Sequence, residues 1–427
     1  MKAMKINPHL EAMKMLDEAI ALSTRPASDF EFLRQAEREI CVRLNFQRDD
    51  GRWTQALGYR VQHSSDLGPY KGGLRYHPEV EIEELRALAF WMSLKTAILG
   101  LPLGGGKGGI AVDPSLYSAS ELARLTRAFV EAIHLDIGPD RDIPAPDVNT
   151  NAQTMAVFAD AYGKLNAAYE PAVVTGKPLA IGGSLGRHEA TGLGVISALK
   201  SALATAGRSI EGCRIIVQGT GNVGAIAALE ALRLGAMIVG VSNTTGSFYA
   251  PEGISPELLK LLLESAAAGA SVQLAVLEGA GAKRLSTPEF LSQAADVLIP
   301  AALENQIDLD VADVLQADFV IEGANGPCTQ EADRRLFERG VVVVPDVLAN
   351  AGGVLVSYYE WVQNRQRDVW SRDLVLERMA AKLESAYQDL LEIQASYEKK
   401  GQKIRLREAA YLSAIHRIVE AHELRLG

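Results

Sequence analysis

The spacing of apolar and polar positions along the chain changes several times, and each change marks an element. Residues 8–24 and 28–44 repeat their apolar positions at helical spacing, and Ser28-Asp29 offers a cap for the second of these helices. Residues 53–63 carry β-type side chains with some alternation and predict a strand. A helix is expected over 81–99, with Glu81, Glu83 and Glu84 in its first turn, where the helix dipole favours acids. A short strand over 108–112 and an amphipathic helix over 118–136 follow, and another helix starts near 150. Between them, Pro144 and Pro146 keep residues 140–149 extended.

The second half reads differently. A helix over 189–206 precedes an apolar strand that starts at Cys213, a helix over 222–234 and a strand over 237–241. Apolar strands at 296–301, 318–322 and 341–345 then alternate with helical stretches. Such alternation predicts an α/β unit with a parallel, doubly wound sheet buried on both faces. Residues 355–425 read as long helices rich in Glu, Arg and Leu. The glycine-rich stretch over 175–192 reads as a hinge. The division that follows is an α/β domain over 1–182 and a doubly wound α/β domain over 183–355. The helices of 356–427 are expected to pack back on the first domain.

At 427 residues the chain is too long for one ordinary core, which agrees with two domains. With 48% hydrophobic and 22% charged residues, its composition is that of a globular protein in water. There is no apolar run of about 18 residues and no signal-peptide pattern; Met1 to Pro8 is too polar for either, so a cytoplasmic location is expected. The net charge of −10 argues against nucleic acid and anionic membranes as partners. Cys41, Cys213 and Cys328 are scattered, with no spacing suited to a metal, so no metal site is expected.

Candidate chemistry sits where lysines meet glycines. Lys107 lies within Leu101-Pro-Leu-Gly-Gly-Gly-Lys-Gly-Gly-Ile110, and Lys71 within Pro69-Tyr-Lys-Gly-Gly-Leu-Arg75. Glycine lets backbone approach a ligand closely, and desolvation lowers a lysine's pKa toward a useful range. A tight turn with a surface lysine is the plain alternative for Lys107. Lys95, near a helix C-terminus, is equally well read as a structural cation, and Asp147 as the N-cap of the next helix. As a set, cationic lysines suit a dianionic or zwitterionic substrate, and a Lys/Asp pair suits proton transfer at a carbon bearing nitrogen.

In the second half, Gly219-Thr-Gly-Asn-Val-Gly224 joins a strand to a helix, the setting a dinucleotide pyrophosphate requires. Where an acid usually meets the ribose stands Ser242-Asn243-Thr244-Thr245, with no Arg or Lys beside it in sequence. That leaves NAD and NADP both open, with a lean to NAD.

Together these motifs, with Pro144-Ala-Pro-Asp147, Gly182-Gly-Ser…Gly186-Arg…Ala190-Thr-Gly192 and Asn350-Ala-Gly-Gly-Val…Ser357, resemble the glutamate dehydrogenase family of amino-acid dehydrogenases, from about residue 25 to the C-terminus. The resemblance implies that 1–182 is the substrate-binding and oligomerisation domain and 183–355 a Rossmann-like dinucleotide-binding domain, with a cleft between them that closes, and a homohexamer. It implies reversible NAD(P)-dependent deamination of glutamate to 2-oxoglutarate and ammonia. It matches Lys107 and Asp147 to the catalytic pair and Lys95 to the holder of the α-carboxylate. Lys71 and Ser357 match the holders of the side-chain carboxylate, and Asn350 matches an asparagine near substrate and nicotinamide. Thr175, Gly219, Gly221, Asn222, Val223, Gly224 and Asn243 are the expected cofactor contacts. Relatives acting on leucine, valine or phenylalanine are expected to be apolar at positions 71 and 357. The alternatives are a branched-chain or aromatic amino-acid dehydrogenase and a regulatory subunit of a hetero-oligomer.

Overall fold

The computed structural model describes residues 7–426, so most of the polar N-terminal stretch read above lies outside the described residues. The chain divides into two units, and helices near the C-terminus run from one to the other. The first unit takes the chain through Leu185, then Val354–Val375 and the residues from Tyr411 onward. The second holds Gly186–Gly353 and Leu376–Ala410. Residues 376–410 thus group with the second unit, whereas the sequence reading sent all of 356–427 to the first. The reason lies in the helix Arg372–Glu398, whose Met379 and Leu383 pack beside Gly352 and Gly194 of the second unit.

The first unit is built on a mixed sheet of β1 (Arg38–Gln47), β2 (Trp53–Ser64), β3 (Tyr70–Tyr76), β4 (Gly105–Ile110) and β5 (Asp142–Pro146), in the order β1-β2-β4-β3-β5. The expected helix over 28–44 is not there. A 3-10 turn, Ala27–Arg34, gives way to β1, which pairs antiparallel with β2 over its whole length. Ile40, Val42, Leu44 and Phe46 alternate with polar residues, and pairing with β2 lets that two-residue period override the weaker helical one.

The lysine segments also differ from expectation. The segment around Lys107 reads as a glycine-rich loop and that around Lys71 carries no assigned element, yet Lys71 lies in β3 and Lys107 in β4. Gly105 is there for the neighbouring helix Ile82–Ile98, because a Cβ at Gly105 would run into Ser93 of that helix. The glycines that looked suited to a ligand therefore serve partly to bring helix and strand together.

Beneath β3 lies a wholly buried ion pair. Arg60 Nε donates to Asp142 Oδ2 at 2.8 Å, and Arg60 Nη1 donates to the carbonyls of Gly72 and Gly73 at 3.3 and 3.2 Å. Gln62 Nε2 donates to the same carboxylate at 2.8 Å. Asp142→Asn keeps the shape but leaves a buried guanidinium without its counter-charge. Its unfolding free energy should fall by about 3–5 kcal/mol in urea denaturation. A loss within about 1 kcal/mol would show that solvent reaches Arg60.

The second unit carries β6 (Arg214–Gln218), β7 (Met237–Asn243), β8 (Gly246–Tyr249), β9 (Lys283–Leu285), β10 (Val297–Pro300), β11 (Phe319–Ile321) and β12 (Val342–Val344), in the order β12-β11-β10-β6-β7-β8-β9. The five strands from β12 to β7 are parallel, as predicted, while β8 and β9 continue the sheet antiparallel. The strand order reverses at β6, so the crevice beyond its C-terminal end is where such sheets receive ligands.

Candidate active site

Side chains alternate along a strand, so Lys71, Gly73 and Arg75 share one face of β3. A Cβ at Gly73 would stand 2.7 Å from Asp147 Cβ and 3.3 Å from Lys107 Nζ. The missing side chain at Gly73 is therefore what admits the Lys107–Asp147 pair to this face. Parallel pairing of β3 with β4 on one side and β5 on the other brings three distant segments into register here.

Lys107 Nζ lies 2.8 Å from Asp147 Oδ2, and Arg75 Nε donates to the same oxygen at 2.8 Å. Arg75 is fixed in turn by Glu84, whose Oε1 accepts from its Nη1 at 2.5 Å. The Asp147 main chain is held by its N–H donating to Thr150 Oγ1 at 2.8 Å, and that hydroxyl donates to Leu74 O at 2.7 Å. Asn149 accepts a left-handed backbone, φ 56°, and donates from Nδ2 to Tyr76 O at 3.0 Å. Asn151 caps the helix Ala152–Leu165, so Asp147 is not its N-cap and its carboxylate is given to the cations.

The electrostatics follow from this crowding. Burial lowers the Lys107 pKa, and the charges of Arg75 and Lys95 lower it further, against the pull of Asp147. Burial pushes the Asp147 carboxyl up, but Lys107 and Arg75 outweigh it and hold the group below its ordinary value. Even without Lys107, the cationic side chains of Lys71, Lys95 and Arg75 outnumber the carboxylates of Asp147 and Glu84. This surplus of cationic side chains suits an anionic substrate.

Of the other expected substrate residues, Lys71 is 2% exposed on β3 and Ser357 is 4% exposed on the helix Gly352–Gln366, both in the first unit. Lys95 sits in the last turn of the helix Ile82–Ile98. Asn350 belongs to the second unit and donates from Nδ2 to Ala324 O at 3.2 Å and to Asn325 Oδ1 at 2.9 Å. Sequence reasoning missed Arg75. Its signal was present: it stands four residues after Lys71, which in a strand means the same face.

The glycine-rich turn after β6 fits a dinucleotide. Gly219 has φ +87° and abuts Ala302, while a Cβ at Gly224 would strike the carbonyl of Gly219. Around Gly221 the space is open. Gly221 caps the helix Asn222–Arg233 without any side-chain hydrogen bond, and the first turn holds no acid, so its amides face a site suited to phosphate. Asn222 Nδ2 donates to His188 O at 3.2 Å, and Val223 follows in the first turn. Two buried polar atoms at this turn, Gln218 Oε1 and Thr220 Oγ1, have no protein partner. Thr175 Oγ1, in the first unit, is likewise buried without one. Orphaned buried atoms are costly unless a ligand satisfies them.

Asn243 is less available than its sequence position suggests. Its Oδ1 accepts from Thr245 N at 2.8 Å and Thr245 Oγ1 at 2.6 Å, and its Nδ2 donates to Val272 O at 2.9 Å. One Nδ2 hydrogen remains for a ribose hydroxyl. Among the described residues no group of His, Cys, Asp and Glu could hold a metal ion, and no helix is long and apolar enough to cross a membrane.

Comparison with known proteins adds an independent line. Residues 36–164 match the dimerisation domain of the Glu/Leu/Phe/Val dehydrogenases, and residues 182–425 match the Glutamate/Leucine/Phenylalanine/Valine dehydrogenase domain. The chain is 43% identical over 396 residues to an NAD-specific glutamate dehydrogenase of Staphylococcus aureus, covering 93% of this chain and 92% of that protein. It is 40% identical over 420 residues to the catabolic NAD-specific glutamate dehydrogenase RocG of Bacillus subtilis, covering 98% and 96%. Its fold is similar to that of the hetero-hexameric glutamate dehydrogenase from Thermus thermophilus in its Leu-bound form, with a TM-score of 0.88, 36% identity and coverage of 100% and 99%. From the Lys107–Asp147 pair to the glycine turn after β6, and over nearly its whole length, this chain belongs to the Glu/Leu/Phe/Val dehydrogenase family.

Proposed function

We propose that the protein is an NAD-dependent glutamate dehydrogenase that interconverts L-glutamate with 2-oxoglutarate and ammonia. The observation that carries this reading is the Lys107–Asp147–Arg75 arrangement on the β3 face that also bears Lys71. A substrate with two carboxylates matches its surplus of cations. The names of the relatives, NAD-specific glutamate dehydrogenases, support the same substrate and cofactor.

In this reading Lys95 holds the α-carboxylate, and Lys71 with Ser357 holds the side-chain carboxylate. Fixing both ends turns Cα–H in one direction, a proximity effect. Bound NAD supplies the acceptor for the hydride leaving Cα. Asn350 lines the region near substrate and nicotinamide. Thr175 offers its unpartnered hydroxyl to the cofactor, and Gly219, Gly221, Asn222, Val223 and Gly224 cradle its phosphates. Asn243 meets the ribose with its remaining N–H. Neutral Lys107 then takes a proton from the water that attacks the imine carbon of 2-iminoglutarate, and Asp147 carries protons to and from the departing nitrogen. The protein is further proposed to act in the cytoplasm as a homohexamer.

The test is a spectrophotometric assay of the purified chain, crossing glutamate, leucine and phenylalanine with NAD and NADP. Glutamate with NAD should give the highest kcat/KM. Preference for leucine would overturn the substrate assignment. Because the Thermus thermophilus neighbour is hetero-hexameric, the isolated chain must be assayed alone, with its mass measured by light scattering. Inactivity rescued by a second subunit would mark the chain as regulatory.

The pH dependence has a definite sign. Lys107 acts without its proton, so kcat/KM rises as pH rises through its lowered pKa. Arg75 is one cause of that lowering. Arg75→Gln should therefore move the rising limb to higher pH in a kcat/KM profile. A limb that stays in place would remove Arg75 from the electrostatics of the site.

A further inference from the structure

No basic residue stands beside Asn243 in the sequence, but the sheet supplies one. Strand β9 runs antiparallel to β8 with Arg284 opposite Phe248, and Asn243 pairs with Gly246 across the β7–β8 hairpin. Arg284 reaches back to that hairpin. Its Nη2 donates to Thr245 O at 3.0 Å, and its Nε would lie 3.3 Å from a Cβ at Gly246. The ring of Phe248 lies 5.8 Å from the guanidinium carbon. The nearest carboxylate paired with it, Glu278, is at 3.9 Å, and the Arg284 side chain is 57% exposed. A guanidinium has five N–H donors, and Thr245 O engages only one nitrogen. The hairpin itself carries no acid to repel an anion: it reads Asn243-Thr-Thr-Gly246.

We propose that Arg284 is a specificity-determining residue that lets the dinucleotide site accept a 2′-phosphorylated adenosine, and hence NADP, beside NAD. The ribose of a dinucleotide bound at the glycine turn after β6 falls at the C-terminal end of the next parallel strand, which is β7. An acid there takes the free 2′-hydroxyl of NAD, and an arginine nearby accommodates the 2′-phosphate of NADP. Here the acid is absent and an arginine is tethered to the hairpin by backbone and ring. Arginine binds phosphate through paired N–H groups, a geometry that lysine cannot copy. Glu278 competes for the same guanidinium and tempers the preference. This inference rests on the reading of the β6 turn as a dinucleotide site, not on the identity of the amino-acid substrate.

Titration calorimetry of the intact protein with 2′,5′-ADP and with 5′-AMP isolates the adenosine end and needs no turnover. Arg284→Gln should raise the ratio of the 2′,5′-ADP Kd to the 5′-AMP Kd by about tenfold or more. Arg284→Lys should recover only part of that change. Glu278→Gln should move the ratio the other way by a few-fold, and it keeps the test open should the arginine variants fold poorly. Ratios unchanged in the folded variants would overturn the proposal, as would equal loss of both ligands. Lack of glutamate oxidation alongside a shifted ratio would instead reject the proposed substrate and leave Arg284's role standing.

Discussion

Asp147→Asn should lower kcat on glutamate by about 10³-fold while changing NAD affinity, read by fluorescence titration, by less than about twofold. The amide keeps the size of the carboxylate and the main-chain bond to Thr150. It removes the carboxylate 2.8 Å from Lys107 that could accept a proton there and pass it on. Two explanations of a large loss separate by pH. Asp147 raises the Lys107 pKa, so its removal lowers that pKa further. If Lys107 alone managed the protons, the variant would keep its rate and gain activity at lower pH. If Asp147 carries protons to nitrogen, the rate stays low at every pH. Turnover within about tenfold of the unaltered protein would therefore dismiss Asp147 as a proton carrier.

The second large effect concerns substrate choice. Lys71→Met should lower kcat/KM for glutamate by about 10³-fold and leave leucine and norvaline far less affected. Methionine matches lysine in length and apolar body but carries no charge. Lys71 is buried, so its charge acts through little solvent and reads a partner's charge strongly. Truncating one member of a buried, hydrogen-bonded charge pair costs about 2–5 kcal/mol, which spans the expected loss. Ser357 is buried as well and is proposed to contact the same carboxylate. The glutamate-to-leucine ratio of kcat/KM is the decisive measurement. An unchanged ratio would mean that Lys71 shapes β3 and does not read the substrate.

Arg75 links the two predictions. It shares Asp147 Oδ2 with Lys107 and shares a strand face with Lys71. With Lys107 it keeps Asp147 ionised, and its tether to Glu84 fixes its position there.

The sequence by itself determined the parallel core of the second unit and its phosphate turn, because both depend on local order: an apolar strand, three glycines at fixed spacing, and a helix start. It also singled out Lys107 and Asp147, through motifs that are long and occur in order, and the fold sets their side chains 2.8 Å apart. What it could not settle depended on pairing and packing that only the folded chain fixes. Residues 38–47 carry two periods at once, and only pairing with β2 decides for a strand. The glycines around Lys107 look like a ligand loop until the helix Ile82–Ile98 is seen to press on Gly105. Asn243 looks free until Thr245 and Val272 take up its amide. Arg284 is invisible beside it until β9 folds back along β8. Local propensity and spacing act within a few residues, whereas strand pairing, charge pairing and close approach join segments that lie as far as 82 residues apart, and only the folded sheet brings those together.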